Sequence, residues 1–327
     1  MKTWKHGIFA IIAFAVVVIA CGNGNENESQ LIDPDFVGIE GLTMDNYPRV
    51  DGATSTNPLN VIIASKLLDF EYIWEGDHNL IEIRQAYLPM GLPTSFRNKF
   101  KLSQTHGAII NLIDNQTDLI IVASKMSAEE KQYADAAGVT LIETPIALDA
   151  LDFVINTQNT VTSLTVEQIQ EIYLGDITNW SQVGGANEEI KPFYRNENSG
   201  SQEMMNEVVM KNTGVPNWAD RWADELPIFS MSNVYYRILE NPYGICYSPH
   251  YYKEYMVAAV DGIKTLAVNG ITPDSNSIKN KSYPFVAEVY VSIRSDLDHN
   301  SMAYKLYEWL QTETGKRVIK ESGYVPN

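Results

Sequence analysis

Three times along this 327-residue chain, a hydroxyl-bearing turn opens directly into an apolar stripe at helical spacing. Ala53-Thr54-Ser55-Thr56-Asn57-Pro58 leads to Leu59, Ile62, Ile63 and Leu67, and Ser103-Gln104-Thr105-His106-Gly107 leads to Ala108, Ile109, Leu112 and Ile113. Arg195-Asn196-Glu197-Asn198-Ser199-Gly200-Ser201-Gln202 leads to Met204, Met205, Val208 and Val209. Residues three and four apart share a helix face, so each stripe predicts a helix packed on one side. A helix start leaves its first N–H groups without intrahelical partners and carries the positive end of the helix dipole. Three such starts brought to one place would form an oxyanion receptor made largely of neutral dipoles. Taken singly, each turn has a plainer reading as an ordinary helix cap.

The flanking pattern predicts an α/β fold. Tyr47 to Gly52 reads as a short strand and turn, with Pro58 in the first turn of the next helix and Ser55 or Thr56 as its cap. Leu119 to Ala123 reads as an apolar strand, and Pro145 to Asn156 as an extended segment. Thr165 and Gln168 form a capping box before Val166, Ile169, Ile172 and Tyr173, and Gly175 stops that helix. Phe285 to Ile293 is a strand rich in β-branched and aromatic residues, followed by a helix carrying Ala303, Leu306, Tyr307 and Leu310. The length suits two lobes.

The ends restrict location. Lys2 and Lys5 precede an apolar run from Ile8 to Ala20 that is too short to span a bilayer and ends at Cys21, as a secretory signal does. Val18-Ile19-Ala20-Cys21 resembles the bacterial lipobox, which implies removal of residues 1–20 and a lipid on Cys21. A plain secretory signal is the alternative. Gly22 to Ser29 reads as a flexible tether, and Leu31 to Asn46 as acidic and irregular, so residues 21–45 form a linker. Cys246 then stands alone, which excludes an internal disulfide and a cysteine metal cluster, and reads as a buried thiol. With 24 basic and 41 acidic residues the formal charge is −17, which argues against nucleic acid or an anionic bilayer surface as a partner. Salt confines that repulsive field to about 8 Å, so any anion site must act locally.

In the third turn Arg195 is the only guanidinium. It can offer a tetrahedral oxyanion a charge-assisted, bidentate contact. Gly200 permits close approach and unusual dihedrals, while Ser199 and Ser201 add side-chain and backbone donors.

These residues closely resemble the phosphate-binding lipoproteins of bacterial ABC phosphate importers, within the type II periplasmic-binding-protein superfamily. The likeness runs from about Tyr47 to Val325. Its anchors are Asp51 to Pro58, Thr117-Asp118-Leu119-Ile120, Tyr173 to Trp180, Arg195 to Ser201, Tyr243 to Tyr247, and Gly323-Tyr324-Val325-Pro326. The resemblance implies two α/β lobes joined by crossover strands near Pro145 and Pro284, with the ligand in the central cleft. Lobe one would comprise residues 46–146 and 285–327, and lobe two residues 147–284.

By the same resemblance, Thr54, Ser55, Thr105, Arg195, Ser199, Gly200 and Ser201 would bind phosphate, and His106, Ser124, Lys125 and Glu197 would lie near it. Some family members carry an aspartate after the strand equivalent to Leu119–Ala123. It accepts the proton that distinguishes hydrogen phosphate from sulfate. Here Ser124 and Lys125 stand instead, which leaves sulfate or another oxyanion as an alternative ligand unless Glu197 or another acceptor serves.

Each residue also has a structural reading: Arg195 as a partner of Glu197, His106 as a solvated or structural imidazole, Lys125 as a solvent-facing side chain, and Trp180 as core. There is no G-x-S-x-G elbow, no H-E-x-x-H and no ordered triad, so an enzyme is not expected. The expectation is a monomeric, extracytoplasmic, lipid-anchored receptor. It needs no metal or cofactor, binds inorganic phosphate by hinge closure and passes it to permease subunits.

Overall fold

The computed structural model describes residues 35–77, 81–211, 213 and 227–327. The leader, Cys21 and the tether as far as residue 34 lie outside the described residues. No helix among those described is long and apolar enough to cross a membrane.

The described residues form twelve strands: β1 (Val50–Gly52), β2 (Ile73–Gly76), β3 (Arg84–Tyr87), β4 (Leu119–Val122), β5 (Leu141–Asn156), β6 (Ser163–Leu164), β7 (Lys191–Pro192), β8 (Gly244–Pro249), β9 (Ile263–Thr265), β10 (Ala267–Val268), β11 (Val286–Arg294) and β12 (Val325–Pro326). The main sheet runs β1-β4-β11-β5-β8-β7, with β12 and β9 also paired to β5. β1 lies parallel to β4 and β7 parallel to β8, while β4–β11, β11–β5 and β5–β8 are antiparallel. Helices alternate with these strands, as the sequence pattern predicts.

β5 organises the molecule. Its first part, Leu141–Ala150, pairs with β11, and its second, Leu151–Ile155, pairs with β8. At the change of partner, the Leu151 amide donates to the Phe285 carbonyl at 3.0 Å. The extended segment therefore begins at Leu141, ahead of the Pro145 expected from sequence. The register against β11 shifts between Val289 and Tyr290, where Pro145 pairs with Tyr290. Proline has no N–H for the ladder, and such irregularities are where a strand tolerates it.

Phe153, at the centre of β5, packs on Tyr173, Tyr247 and Phe285 with ring centroids 5.6–6.1 Å apart. Trp180 is fully buried in the same core and donates its indole N–H to the Tyr243 carbonyl at 2.9 Å. Met204, Met205 and Val209 are buried there too. Cys246 is buried, and burial pushes its thiol up to about 12, so it is an inert part of the core. A second cluster joins the helix Gln104–Ile113 to Ile120 and Val122 of β4.

The Thr165–Gln168 capping box is present with both of its bonds, and Gly175 closes the helix Val166–Leu174 at φ 77°. Chain packing begins upstream of the boundary at residue 46. The Val37 carbonyl accepts the Trp309 indole N–H at 2.7 Å, and Asp45 and Tyr47 offer carbonyls to the Lys99 ammonium.

Candidate functional site

The three hydroxyl turns converge. Ala53, Thr54 and Ser55, Gln104 and Thr105, and Arg195, Ser199, Gly200 and Ser201 all line one cavity of about 490 Å³. The first turn follows the end of β1 and the third precedes the helix Gly200–Met204, so backbone N–H groups and hydroxyls from separate elements share one space.

The hydroxyl-bearing helix starts at this cavity differ from the capped starts elsewhere. Ser127, Thr165, Asp274, Ser301 and Thr312 each accept an N–H bond from the first turn of their own helices. Thr56, Ser103 and Ser199 make no such cap bond. Their hydroxyls are committed to other partners. Thr56 Oγ1 donates to the Ile121 carbonyl at 2.5 Å, Ser103 Oγ accepts from Asn111 at 3.0 Å, and Ser199 Oγ meets Arg195 Nε at 3.3 Å and Ser201 Oγ at 2.8 Å. Capping alone therefore does not explain these hydroxyls.

The sequence reading missed a fourth start of this kind. Ser232 precedes the helix Asn233–Glu240 without capping it, and Ser230 and Ser232 line the same cavity with their hydroxyls 2.7 Å apart. Val234, Tyr235 and Ile238 at helical spacing behind two serines are the signal that finds it.

Arg195 supplies the charge. It is 4% exposed, and burial lowers the pKa of its guanidinium. Nε donates to Ser199, Nη2 donates to the Phe229 carbonyl at 3.3 Å, and buried Nη1 has no hydrogen-bond partner. Among the described residues no carboxylate lies within ion-pair distance of it. The alternative structural pairing of Arg195 with Glu197 is not formed. The loop is held instead through the Arg195 amide, which donates to Gln202 Oε1 and Tyr247 Oη at 3.0 Å each.

Two backbone features fix the turns against one another. A Cβ at Gly200 would overlap Thr105 Oγ1, so glycine lets the second and third turns touch. The unusual dihedral expected of Gly200 falls on Gln104 instead, at φ 63°, a conformation that a non-glycine residue adopts at a cost. Asp51, fully buried, accepts the Ser103 amide at 2.9 Å and the Asn111 side chain at 2.8 Å, tying the first turn to the second.

The outer candidates separate from this cavity. His106, Ser124 and Glu197 line a neighbouring space of about 300 Å³ that shares Thr105, Ser199 and Gly200 with the first. His106 Nδ1 lies 2.9 Å from Glu130, whose other oxygen caps the helix at Ser127, so this imidazole has a structural partner. Lys125 is exposed and stands 5.2 Å from the centre of the Tyr290 ring, lining neither space. The one carboxylate among the described residues lining the Arg195 cavity is Asp77, just after β2, whose Oδ1 accepts the Ile83 amide at 3.0 Å.

Comparison with known proteins agrees with this architecture. Residues 93–314 match the family model described as a PBP superfamily domain. The phosphate-binding protein PstS of Bacillus subtilis is 21% identical over 315 residues, covering 96% of this chain and 91% of its own length. That of Borreliella burgdorferi is 24% identical over 217 residues, covering 66% and 75% respectively. Among solved structures, an ABC-type phosphate transport receptor from Vibrio cholerae superposes with a TM-score of 0.58 at 21% identity, covering 84% of this chain and 98% of its own. A putative phosphate ABC transporter substrate-binding protein with bound phosphate from Clostridium perfringens gives 0.59 at 20%, covering 85% and 98%. A mixed sheet threaded by one long strand, helices on its faces and a match over most of the sequence lead to one conclusion: the chain has the type II periplasmic-binding-protein fold and belongs to the PBP superfamily.

Proposed function

We propose that this protein captures inorganic phosphate outside the membrane and delivers it to an ABC importer. The observation that carries the reading is the buried Arg195 guanidinium, without a carboxylate partner and with an unbonded Nη1, in a cavity ringed by uncapped helix starts. A buried cation without a counter-charge is costly, and a small anion received at this place offsets that cost. Thr54, Ser55, Thr105, Ser199, Gly200 and Ser201 complete the donor set. Micromolar capture needs about 8 kcal/mol, within reach of a few charge-assisted hydrogen bonds at about 1.5–3 kcal/mol each. The similar proteins of Bacillus subtilis and Borreliella burgdorferi are phosphate-binding proteins, which supports phosphate over sulfate.

Residues 46–146 with 285–327 and residues 147–284 act as lobes one and two, hinging where β5 exchanges β11 for β8. Cys21 carries the lipid anchor, and the protein works as a monomer with permease subunits as partners. Asp77 supplies the proton acceptor that Ser124 and Lys125 do not, since a carboxylate favours a protonated oxyanion and repels a fully ionised one. The role is binding without catalysis: Ser199 Oγ is engaged with Arg195 and Ser201 rather than with a base.

Calorimetric titration with phosphate and with sulfate at two pH values tests the proposal. Saturable one-site phosphate binding tighter than sulfate is expected, and tighter sulfate binding or no phosphate binding overturns it.

A further inference from the structure

The first hydroxyl turn is held by a residue from the far end of the chain. Tyr324, buried and just before β12, donates its hydroxyl to the Ser55 carbonyl at 3.0 Å. Its ring lies against Tyr251 with centroids 3.9 Å apart and planes 3° from parallel. Tyr251 is fixed at both ends: its amide donates to Asp149 Oδ1 on β5 at 3.0 Å, and its hydroxyl donates to the Ser322 carbonyl at 3.0 Å. The C-terminal segment is anchored in turn by β12, where Val325 and Pro326 pair with Leu148 and Ala147 of β5. Gly323, at φ 104°, faces the ring of Tyr255 so closely that a side chain there would collide with it.

Tyr251 lies between Pro249 and Tyr252, both of which line the Arg195 cavity, whereas Tyr324 reaches Ser55 on the first turn. The stacked pair therefore connects two stretches of cavity wall and ties both to β5. Core packing alone explains an aromatic ring at position 324. It does not require a hydroxyl, because phenylalanine would stack equally well. The hydroxyl instead bonds the carbonyl of Ser55, a residue that lines the cavity, and so restrains the turn that presents the Ser55 side chain.

Building on the phosphate-site reading, we propose that Tyr324 is a positioning residue for the ligand. Its hydroxyl sets the first donor turn, and Tyr251, held by Asp149, sets Tyr324.

The test is calorimetric titration with inorganic phosphate, together with ligand-free melting curves, on the full chain and five variants: Tyr324→Phe, Tyr324→Leu, Ser55→Ala, Ser55→Ala/Tyr324→Phe and Arg195→Ala. Tyr324→Leu removes stack and hydroxyl, so both melting temperature and affinity fall. Tyr324→Phe recovers the part of the melting temperature that the stack supplies but leaves affinity weakened about three- to tenfold, the range for one neutral hydrogen bond. In the Ser55→Ala background the Tyr324→Phe change adds less than about twofold, since its effect passes through the Ser55 hydroxyl.

Wild-type affinity in Tyr324→Phe, or an equal loss in both backgrounds, overturns the positioning role. If Arg195→Ala weakens phosphate in the same series, the site reading survives that failure. If wild type does not bind phosphate, both fall.

Discussion

Replacing Arg195 separates a binding residue from a structural one, because the structure predicts opposite responses in affinity and in stability. Nη1 has no partner in the protein, and Nη2 bonds only the Phe229 carbonyl, so this edge of the guanidinium is the one available to an anion. Losing one charge-assisted hydrogen bond costs about 1.5–3 kcal/mol, and losing a bidentate contact costs more, so Arg195→Ala should raise the dissociation constant for phosphate at least about a hundredfold. The ligand-free protein should change little. It loses the guanidinium's hydrogen bonds to Ser199 and the Phe229 carbonyl, about 1.5–3 kcal/mol each, and is relieved of a buried, unpaired charge whose burial costs several kcal/mol. Arg195→Lys keeps the charge but not the planar fork that reaches Ser199 and Phe229, so its affinity should fall between the two. Calorimetric titration with phosphate, alongside thermal melts without ligand, provides both readings. The reasoning is refuted if Arg195→Ala binds within threefold of wild type. It is equally refuted if Arg195→Ala unfolds far below wild type without ligand while Arg195→Lys does not, since Arg195 would then be a structural cation.

Gly200→Ala should weaken phosphate binding at least tenfold, because the new Cβ drives Thr105 off the third turn; titration checks this, and unchanged affinity would mean that the two turns act independently. Asp77→Asn keeps an oxygen acceptor for the Ile83 amide and removes the charge, so the preference for phosphate over sulfate should narrow about tenfold or more; a constant ratio across both titrations removes Asp77 from selectivity. Stability should rise as pH falls from about 6 to 4. Burial pushes Asp149 up to about 6 from 3.8, so its stabilising contribution, about 3 kcal/mol, is fully present below the unfolded value and lost as pH climbs through 6. Burial works against His250, but the hydrogen bond and charge of Asp152 raise it overall, and that contribution too is lost with rising pH. Melting curves across this window should flatten in Asp149→Asn, and an unchanged slope contradicts the assignment.

The elements that announced themselves did so through local chemistry that tertiary context reinforced. Thr165, Gln168 and Gly175 carry a complete start and stop, and the structure forms both. The first three hydroxyl turns were legible because each precedes an apolar stripe. What sequence could not give was their commitment to one cavity, which depends on β5 and on close approaches such as that of Thr105 to Gly200. Asp77 was invisible for a related reason. The β2–β3 hairpin is short and half exposed, has no Asn-Gly or Asp-Gly turn, and so shows no strong alternation to mark the residue that follows β2. The resemblance places Lys125 near the anion, because some family members carry an aspartate after the equivalent strand; its side chain lies along the Tyr290 ring and lines neither cavity.

A chain of net charge −17 that receives an anion must either overcome its own field or act at a range where that field is irrelevant. The proposed site takes the second course. Among the described residues its cavity is lined by one cation, Arg195, and one carboxylate, Asp77, alongside hydroxyls and helix starts whose fields fall off within a turn of helix. The arrangement suits a carrier better than a store. A site crowded with lysines and arginines would hold phosphate through a long-range attraction that survives partial opening. Dipoles and one buried guanidinium lose nearly all of their attraction once the walls part by a few ångströms, so opening at the β5 exchange point would by itself release the ligand. The sign of the protein's charge then matters little to capture, because screening ends it within about 8 Å.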